Sequence, residues 1–423
     1  MIVMNPFLLL VLIFLTLAWV LDLVLENRNL SCLSSAIPDA FTDVLDAKAY
    51  ARSQDYTRVR SRFSMVKGTF EYLLVVMFIS LGGIGLLDGW VRSLGFSPLV
   101  VGLVYFGILG LASDLLSIPF DLYLTFSLEE RFGFNTTTMR TFWSDRLKGY
   151  ALTMVLGGVL LGVVLWLFMR TDHQAWIWCW GCTTLFMITI HYGAPRFILP
   201  LFNDFTPLKE GELRDAVTQF AERVGFRLAG IVVMDGSRRS SKSNAFFTGF
   251  GSRKQIALFD TLIERRTVRE LVAILAHEVG HYKCKHIIKG LIMGIAKTGV
   301  VFWLMAQVMG ARELSAAFGV EVPSVHTGLV IFALLYTPLS LVLGPVSNFF
   351  SRKHEWEADR FAALHIDDPE DLVTALKKLA ADNLSNLTPH PWYVALRYSH
   401  PPVVERIRAI RRLARAGGFH EAP

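Results

Sequence analysis

Seven stretches of this chain are apolar over about twenty residues each, and that repetition constrains the fold more than any motif does. They are Pro6 to Leu25, Phe70 to Leu87, Leu99 to Ile118, Tyr150 to Met169, Ala175 to Ile190, Gly290 to Gly310 and Thr327 to Val346. A helix needs ~20 such residues to cross a ~30 Å hydrocarbon core. Inside that core backbone polar groups find no water, so a spanning segment must satisfy them within its own helix or in a closed barrel. With 53% of 423 residues apolar and only 18% charged, intrinsic disorder, collagen-like repeats and a secreted disulfide scaffold are excluded. The expected fold is mainly α: a bundle of seven transmembrane helices. The first stretch has no basic residue before it, is too long for a signal-peptide core and lacks a small-residue cleavage site, so it reads as a retained membrane helix.

The net charge of +6 raises the question of nucleic acid, and the placement of the charges answers it. Arg28, Lys48, Arg52, Arg58, Arg60, Arg62 and Lys67 stand between the first and second stretches, whereas the next loop has only Arg92. Arg131, Arg140, Arg146 and Lys148 follow, then Arg170 alone, then many basic residues from Arg196 to Lys285, then Arg312 alone. Alternation of this kind is the positive-inside pattern. It puts the N-terminus outside, and the C-terminus and both long polar regions in the cytosol. Topology and contact with anionic headgroups therefore account for the charge, and no nucleic-acid partner is expected. The Cys179/Cys182 pair lies inside the fifth apolar stretch and reads as packing; Cys32 and Cys284 fall on the reducing side. The sequons at Asn135, Asn383 and Asn386 are cytosolic in this topology and are expected to stay unmodified.

The chain divides into a membrane part (1–200) with five spans, an insert (201–289), two further spans (290–346) and a C-terminal part (347–423). In the insert, Glu210 to Val224 has helical spacing, and Ile231 to Met234, Phe246 to Phe250 and Gln255 to Phe259 read as short strands. A small α+β cytosolic domain follows from these.

The chemistry lies in the helix after those strands. Thr267-Val-Arg-Glu270 is a capping-box pattern, with Leu271, Ile274, Leu275 and Val279 following at helical spacing. Within it stands His277-Glu278-Val279-Gly280-His281. Histidines at i and i+4 share one face and can hold one Zn²⁺, while the glutamate after the first is placed to act as base toward a nearby water. A catalytic site needs a third protein ligand. The metzincin spacing fails, because position 287 is isoleucine, position 284 is cysteine and His286 comes one residue early. Ser351-Arg-Lys-His-Glu-Trp-Glu-Ala-Asp359 supplies a better one. There Glu355 and Asp359 share a helical face, so one can ligate while the other holds a ligand imidazole. Glu357 points off that face, and His354 stays as an alternative ligand.

These residues resemble the integral-membrane gluzincins, specifically the CAAX prenyl protease type 1 family. The likeness extends to Glu129-Glu-Arg-Phe-Gly-Phe-Asn135, Ser243-Asn-Ala-Phe-Phe-Thr-Gly249, Leu258-Phe-Asp-Thr-Leu262 and Ser399-His-Pro-Pro-Val-Val-Glu-Arg406. It implies seven helices around a water-filled chamber with one zinc at its cytosolic end, and cleavage of C-terminal CAAX peptides after the prenylated cysteine. It also implies that His400 and Arg406 stabilise the oxyanion; from the residues alone the alternative is a pair of surface bases at a helix start marked by Pro401-Pro402. Asn244, just before a strand, either bonds the backbone of a peptide added to that edge or is a turn asparagine.

Two rivals remain. A membrane quality-control protease would share the chemistry without a prenyl requirement. A zinc or ion transporter would set its ligands at mid-membrane in broken helices, whereas these adjoin the cytosolic side. The resemblance is compatible with the endoplasmic reticulum or a bacterial inner membrane; in a bacterium lacking prenylation, CAAX peptides could not be the physiological substrate. The tail ends Gly-Gly-Phe-His-Glu-Ala-Pro without a dilysine signal. Oligomeric state is left open. Asp114 and Lys297, charged residues within apolar stretches, are a possible pair; Asp22 and Glu71, near stretch ends, read as interfacial.

Overall fold

In a computed structural model, residues 5–248 and 255–416 are described. Gly249 and Phe250 of the third expected strand, and the last seven residues, lie outside them. Among the described residues seven helices are long and apolar enough to cross a membrane: Pro6–Ser31, Ala47–Ser80, Pro98–Glu129, Met139–Arg170, Ala175–Phe202, His286–Val308 and Val325–His365. They are called here the first to seventh spans.

Two differ instructively from the hydropathy windows. The second begins at Ala47, capped by Asp46, whose carboxylate accepts the Ala49 N–H at 2.7 Å. It ends before Gly82, which takes a left-handed φ of 71°, and Gly83–Ser93 forms a separate short helix. The apolar window therefore straddles a turn, and the charged half of the helix was hidden because polar residues carry no hydropathy signal. The seventh span runs through Pro338 and Pro345 to His365, well past the apolar limit at Val346. The division drawn at 346/347 thus cuts one continuous helix, and this extension carries Glu355 and Asp359.

The insert holds a four-stranded sheet of β1 (Phe205–Pro207), β2 (Gly230–Met234), β3 (Ala245–Thr248) and β4 (Gln255–Phe259), in the order β1-β2-β4-β3. β2 and β4 are parallel with Ile231 opposite Ile256, and the outer strands pair antiparallel. Helix Glu212–Arg223 and the motif helix, Val268–Lys283, pack on it. Between them Val217, Ile256, Leu258, Leu262, Leu271 and Leu275 are buried. Each such large apolar side chain contributes ~1.5–3 kcal/mol when fully buried. The capping box forms: Thr267 Oγ1 accepts the Glu270 N–H at 3.3 Å, and the Glu270 carboxylate accepts the Thr267 N–H at 3.2 Å. The other side of the motif helix enters a second core with Phe41, Tyr50, Ala362, Val373, Leu376 and Ile407. The N-terminal linker, insert, seventh span and C-terminal helices thereby close on the motif helix.

Glu129 of the Glu-Glu-Arg-Phe-Gly-Phe-Asn motif ties the insert to the membrane helices. Tyr56 Oη donates to it at 2.7 Å, Arg60 at 2.8 Å and Lys242 at 2.9 Å. Phe134 O accepts the Ser241 N–H at 3.0 Å, so the chain ahead of Asn244 is pinned.

The charges within the spans correct one expectation. Asp114 pairs with Arg146 at 2.6 Å and with Tyr150, and Arg146 also reaches Asp121 at 3.3 Å. Lys297 is not within ion-pair distance of Asp114, so they are not partners. Asp22 and Glu71 line a cavity of about 560 Å³ together with Glu26, Lys67, Tyr393 and Arg397, and Asp22 is ion-paired with Arg397. Both carboxylates stay about half exposed, so the cavity adds partners to their place near the span ends. Cys179 is buried against Val164 and Leu167, and both it and Cys182 are free thiols, as the packing reading requires.

Replacing Arg146 by Met leaves Asp114 with Tyr150 as its sole partner and Asp121 with Lys67, so Asp114 loses its counter-charge in a partly shielded site, at a cost of roughly 1–3 kcal/mol. A fall in detergent melting temperature is expected for Arg146→Met, and little change for Lys297→Met.

Candidate active site

The motif helix and the extension of the seventh span cross at Gly280. A Cβ built there would meet Ala358 O at 3.0 Å, Ala358 Cα at 3.1 Å and Phe361 Cβ at 3.1 Å. A Cβ at those distances would have to push the facing backbone back by a few tenths of an ångström, so glycine gives the approach without strain, and Ala358 sits between Glu355 and Asp359. The crossing therefore brings the two sequence-predicted motifs together.

At the crossing, His277 Nε2 and His281 Nε2 lie 3.1 Å apart, and Glu355 oxygens lie 3.5 Å from the first and 3.3 Å from the second. These separations are a fit test. Donors at the corners of a tetrahedron with bonds of ~2.0–2.1 Å should be about 3.3 Å apart. Glu355 Oε2 is buried with no hydrogen-bond partner, a costly state for a carboxylate oxygen unless a cation satisfies it. The two imidazoles and one carboxylate thus suit a divalent metal.

Asp359 stands outside this donor set, on the far side of the imidazole, where it accepts from His277 Nδ1 at 2.8 Å. Its oxygens also take the guanidinium of Arg406 through Nε at 2.7 Å and Nη2 at 2.6 Å. Arg406 Nη1 is left facing Glu355 Oε2 at 3.6 Å. His400 Nε2 comes within 3.4 Å of Glu355 Oε1, and its Nδ1 within 2.9 Å of Ser399 Oγ. Arg352 holds that segment on the seventh span by donating to Val394 O at 3.1 Å and Tyr398 O at 2.6 Å. Asn244, exposed at the start of edge strand β3, joins His277, Glu278, Glu355, His400 and Arg406 around one cavity of about 210 Å³. Every predicted site residue except the donor His281 and the buried Asp359 lines it, and those two touch its lining.

Electrostatics set the protonation states. Burial pulls the His277 imidazole down, but its bonds to Asp359 and Glu355 outweigh that and lift its pKa to about 9. Burial pushes the Glu278 carboxyl above the usual glutamate range, against the pull of His277 and His281. Burial lowers His400, which favours its neutral form. Arg406 is desolvated yet held charged by Asp359.

The two other acidic and histidine candidates separate cleanly. His354 stacks on His286 at 4.1 Å and stands outside the donor set. Glu357 meets His286 at 2.9 Å and Lys289 at 3.4 Å, off the ligand face as its position implies. The contact of His286 with His281, Nδ1 to Nδ1 at 3.0 Å, was missed. Nothing in the local pattern signals it, because it depends on a left-handed Lys285 (φ 58°) between two helices.

Seven apolar helices with an H-E-x-x-H helix and a downstream glutamate at their crossing define a membrane metallopeptidase. Comparison with known proteins agrees. Residues 26–204 match the family described as CAAX prenyl protease N-terminal, five membrane helices, and residues 207–414 match peptidase family M48. CAAX prenyl protease 1 homolog of Arabidopsis thaliana is 33% identical over 96% of this chain and 97% of its own. CAAX prenyl protease 1 of Saccharomyces cerevisiae is 33% identical over 88% of each. A crystal structure of S. mikatae Ste24p superposes with a TM-score of 0.90 at 30% identity, covering 96% of this chain and 99% of that one. The chain belongs to peptidase family M48, and it is a multi-pass membrane metalloendopeptidase.

Gly280→Ala isolates the helix crossing. Alanine would add ~1 kcal/mol of helix propensity, yet its methyl must push backbone that carries Glu355 and Asp359. The expected outcome is a folded protein whose metal affinity, read by chelator competition, falls about tenfold or more.

Proposed function

We propose that this chain is a zinc endopeptidase that cleaves prenylated C-terminal CAAX peptides at the cytosolic face of its membrane, with its N-terminus outside and C-terminus in the cytosol. The observation that carries the reading is the single cavity where Asn244, His277, Glu278, Glu355, His400 and Arg406 meet. It occurs in a chain similar over nearly its whole length to relatives named CAAX prenyl proteases. Two imidazoles and one carboxylate favour zinc among the common divalent ions. The orientation is supported by the alternation of Lys/Arg-rich and Lys/Arg-poor loops.

When bound by His277, His281 and Glu355, zinc would supply Lewis acidity to a substrate carbonyl and lower the pKa of water at the site toward ~7. Glu278 takes the proton of the attacking water and returns it to the leaving amine. Its raised pKa makes it a better base than an exposed glutamate. Asp359 holds His277 in the tautomer that leaves Nε2 free, and Arg406 fixes Asp359 in turn. His400, held toward its neutral form by burial and lining the cavity, offers an N–H to the developing oxyanion, and Arg406 Nη1 adds positive charge beside Glu355. Asn244 aligns the peptide backbone as it extends along β3. The ligands stand on the motif helix and on the polar extension of the seventh span, not in broken mid-membrane helices, which speaks against transport. A membrane-bound, lipid-modified peptide is the partner that explains why the site adjoins the bundle.

Purified protein in detergent, given matched prenylated and unprenylated CAAX peptides, tests this. Cleavage of the prenylated peptide is expected, with Glu278→Gln slower by about 100-fold or more while still binding metal. Equal rates on both peptides would support a quality-control protease instead.

A further inference from the structure

Each donor imidazole has a second ring nitrogen, and its partner decides which nitrogen can meet a cation. For His277 that partner is Asp359. For His281 it is another ring: His281 Nδ1 lies 3.0 Å from His286 Nδ1, with the rings 74° apart. His286 Nε2 in turn lies 2.9 Å from Glu357 Oε2, and the His286 side chain is only 4% exposed.

A neutral imidazole has one N–H and one lone pair. For His281 to present its Nε2 lone pair beside His277 and Glu355, its proton must sit on Nδ1. His286 Nδ1 must then accept, so the His286 proton sits on Nε2, where Glu357 accepts it. One choice thus fixes every proton along the row. We propose that His286 and Glu357 are positioning residues that orient His281 and fix its tautomer, so that each donor imidazole ends on a carboxylate, one directly and one through a second imidazole. The proposal rests on the zinc reading above. It assigns a role to Glu357, which faces away from the donors, and to His286, which sits one residue early for a metzincin ligand.

The same trio invites a different reading, because Cys284, His286 and Glu357 present ligand atoms within 4.8 Å of one another. A second cation on His286 Nε2 would force its proton onto Nδ1, setting N–H against the N–H of His281. A cation on His286 Nδ1 would meet that same N–H. The row of protons and a second metal exclude each other while His281 binds through Nε2. Lys289 also approaches Glu357 at 3.4 Å, but half of its side chain is exposed, and such pairs contribute little.

The test uses the full chain in detergent, reading zinc affinity by chelator competition, metal content per chain, and the visible spectrum of the cobalt(II) form. His286→Ala and Glu357→Ala should each weaken binding roughly 10–100-fold and shift the cobalt bands. The double variant should be no weaker than His286→Ala, because Glu357 acts through His286. His286→Gln, whose amide can accept from His281 and donate to Glu357, should recover most of the affinity. Lys289→Met and Cys284→Ser should match the parent at one metal per chain. Should His286→Ala fail to fold, the partly exposed Glu357 variant carries the test alone. Parent-like affinity in the Glu357 and His286 variants overturns the proposal and leaves the zinc reading standing. Two metals per chain, falling to one in Cys284→Ser, overturns it in favour of a second metal site. A parent chain that binds no metal sinks the zinc reading and the proposal together.

Discussion

The contact of Gly280 with the backbone at Ala358 is the constraint on which the site depends. Helices normally pack 8–10 Å apart, with side chains filling the seam. Removing the side chain at one position lets the motif helix press directly on the seventh span's extension. His277 and His281, one turn apart on the first helix, then meet Glu355 and Asp359, one turn apart on the second. No loop intervenes at the crossing, so the donor geometry inherits the rigidity of two packed helices, which is what a preorganised metal site requires.

Charge balance explains why such a buried polar cluster is tolerable. Glu278, Glu355 and Asp359 set three carboxylates against the single guanidinium of Arg406, all in or around one small cavity. With neutral imidazoles this leaves two negative charges out of water, an arrangement that costs several kcal/mol per uncompensated ion. One divalent cation cancels them. The raised pKa of His277 has the same origin: the site pulls in positive charge from whatever source supplies it.

Much of this was legible in the sequence, and the parts that were not share a cause. The capping box, strand Gln255–Phe259 and the ligand pair on Val268–Lys283 follow from local rules of period and capping, so reading residues in order finds them. Glu355 was found because Asp359 shares its helical face. By contrast, the three-residue β1 is too short for a pattern, and the turn at Gly82 hides within a run of apolar residues. Partners such as Arg146 for Asp114, or Glu357 for His286, come from different helices, and no spacing rule connects them. Helix length was misjudged for the second and seventh spans because hydropathy reports the solvent around a segment, whereas capping and backbone hydrogen bonds decide where the helix ends.

That error is informative about the architecture. The seventh span does not stop at the edge of its apolar stretch but continues as one helix to the metal donors. The motif helix ends at Lys283, and the sixth span begins at His286, so only Cys284 and Lys285 separate them. Both donor-bearing helices are therefore direct continuations of spans, or joined to one by a two-residue corner held in a left-handed turn at Lys285. Any change in how the sixth and seventh spans pack must be felt at the donors, since neither connection is long enough to absorb it. His286, the first residue of the sixth span, touches His281 at this corner, so the span is tied to a donor by a side chain as well as by the backbone. The apolar bundle thus does more than anchor a protease. It sets the distance between the two halves of the active site, because each donor-bearing helix runs into a span directly or through a two-residue corner.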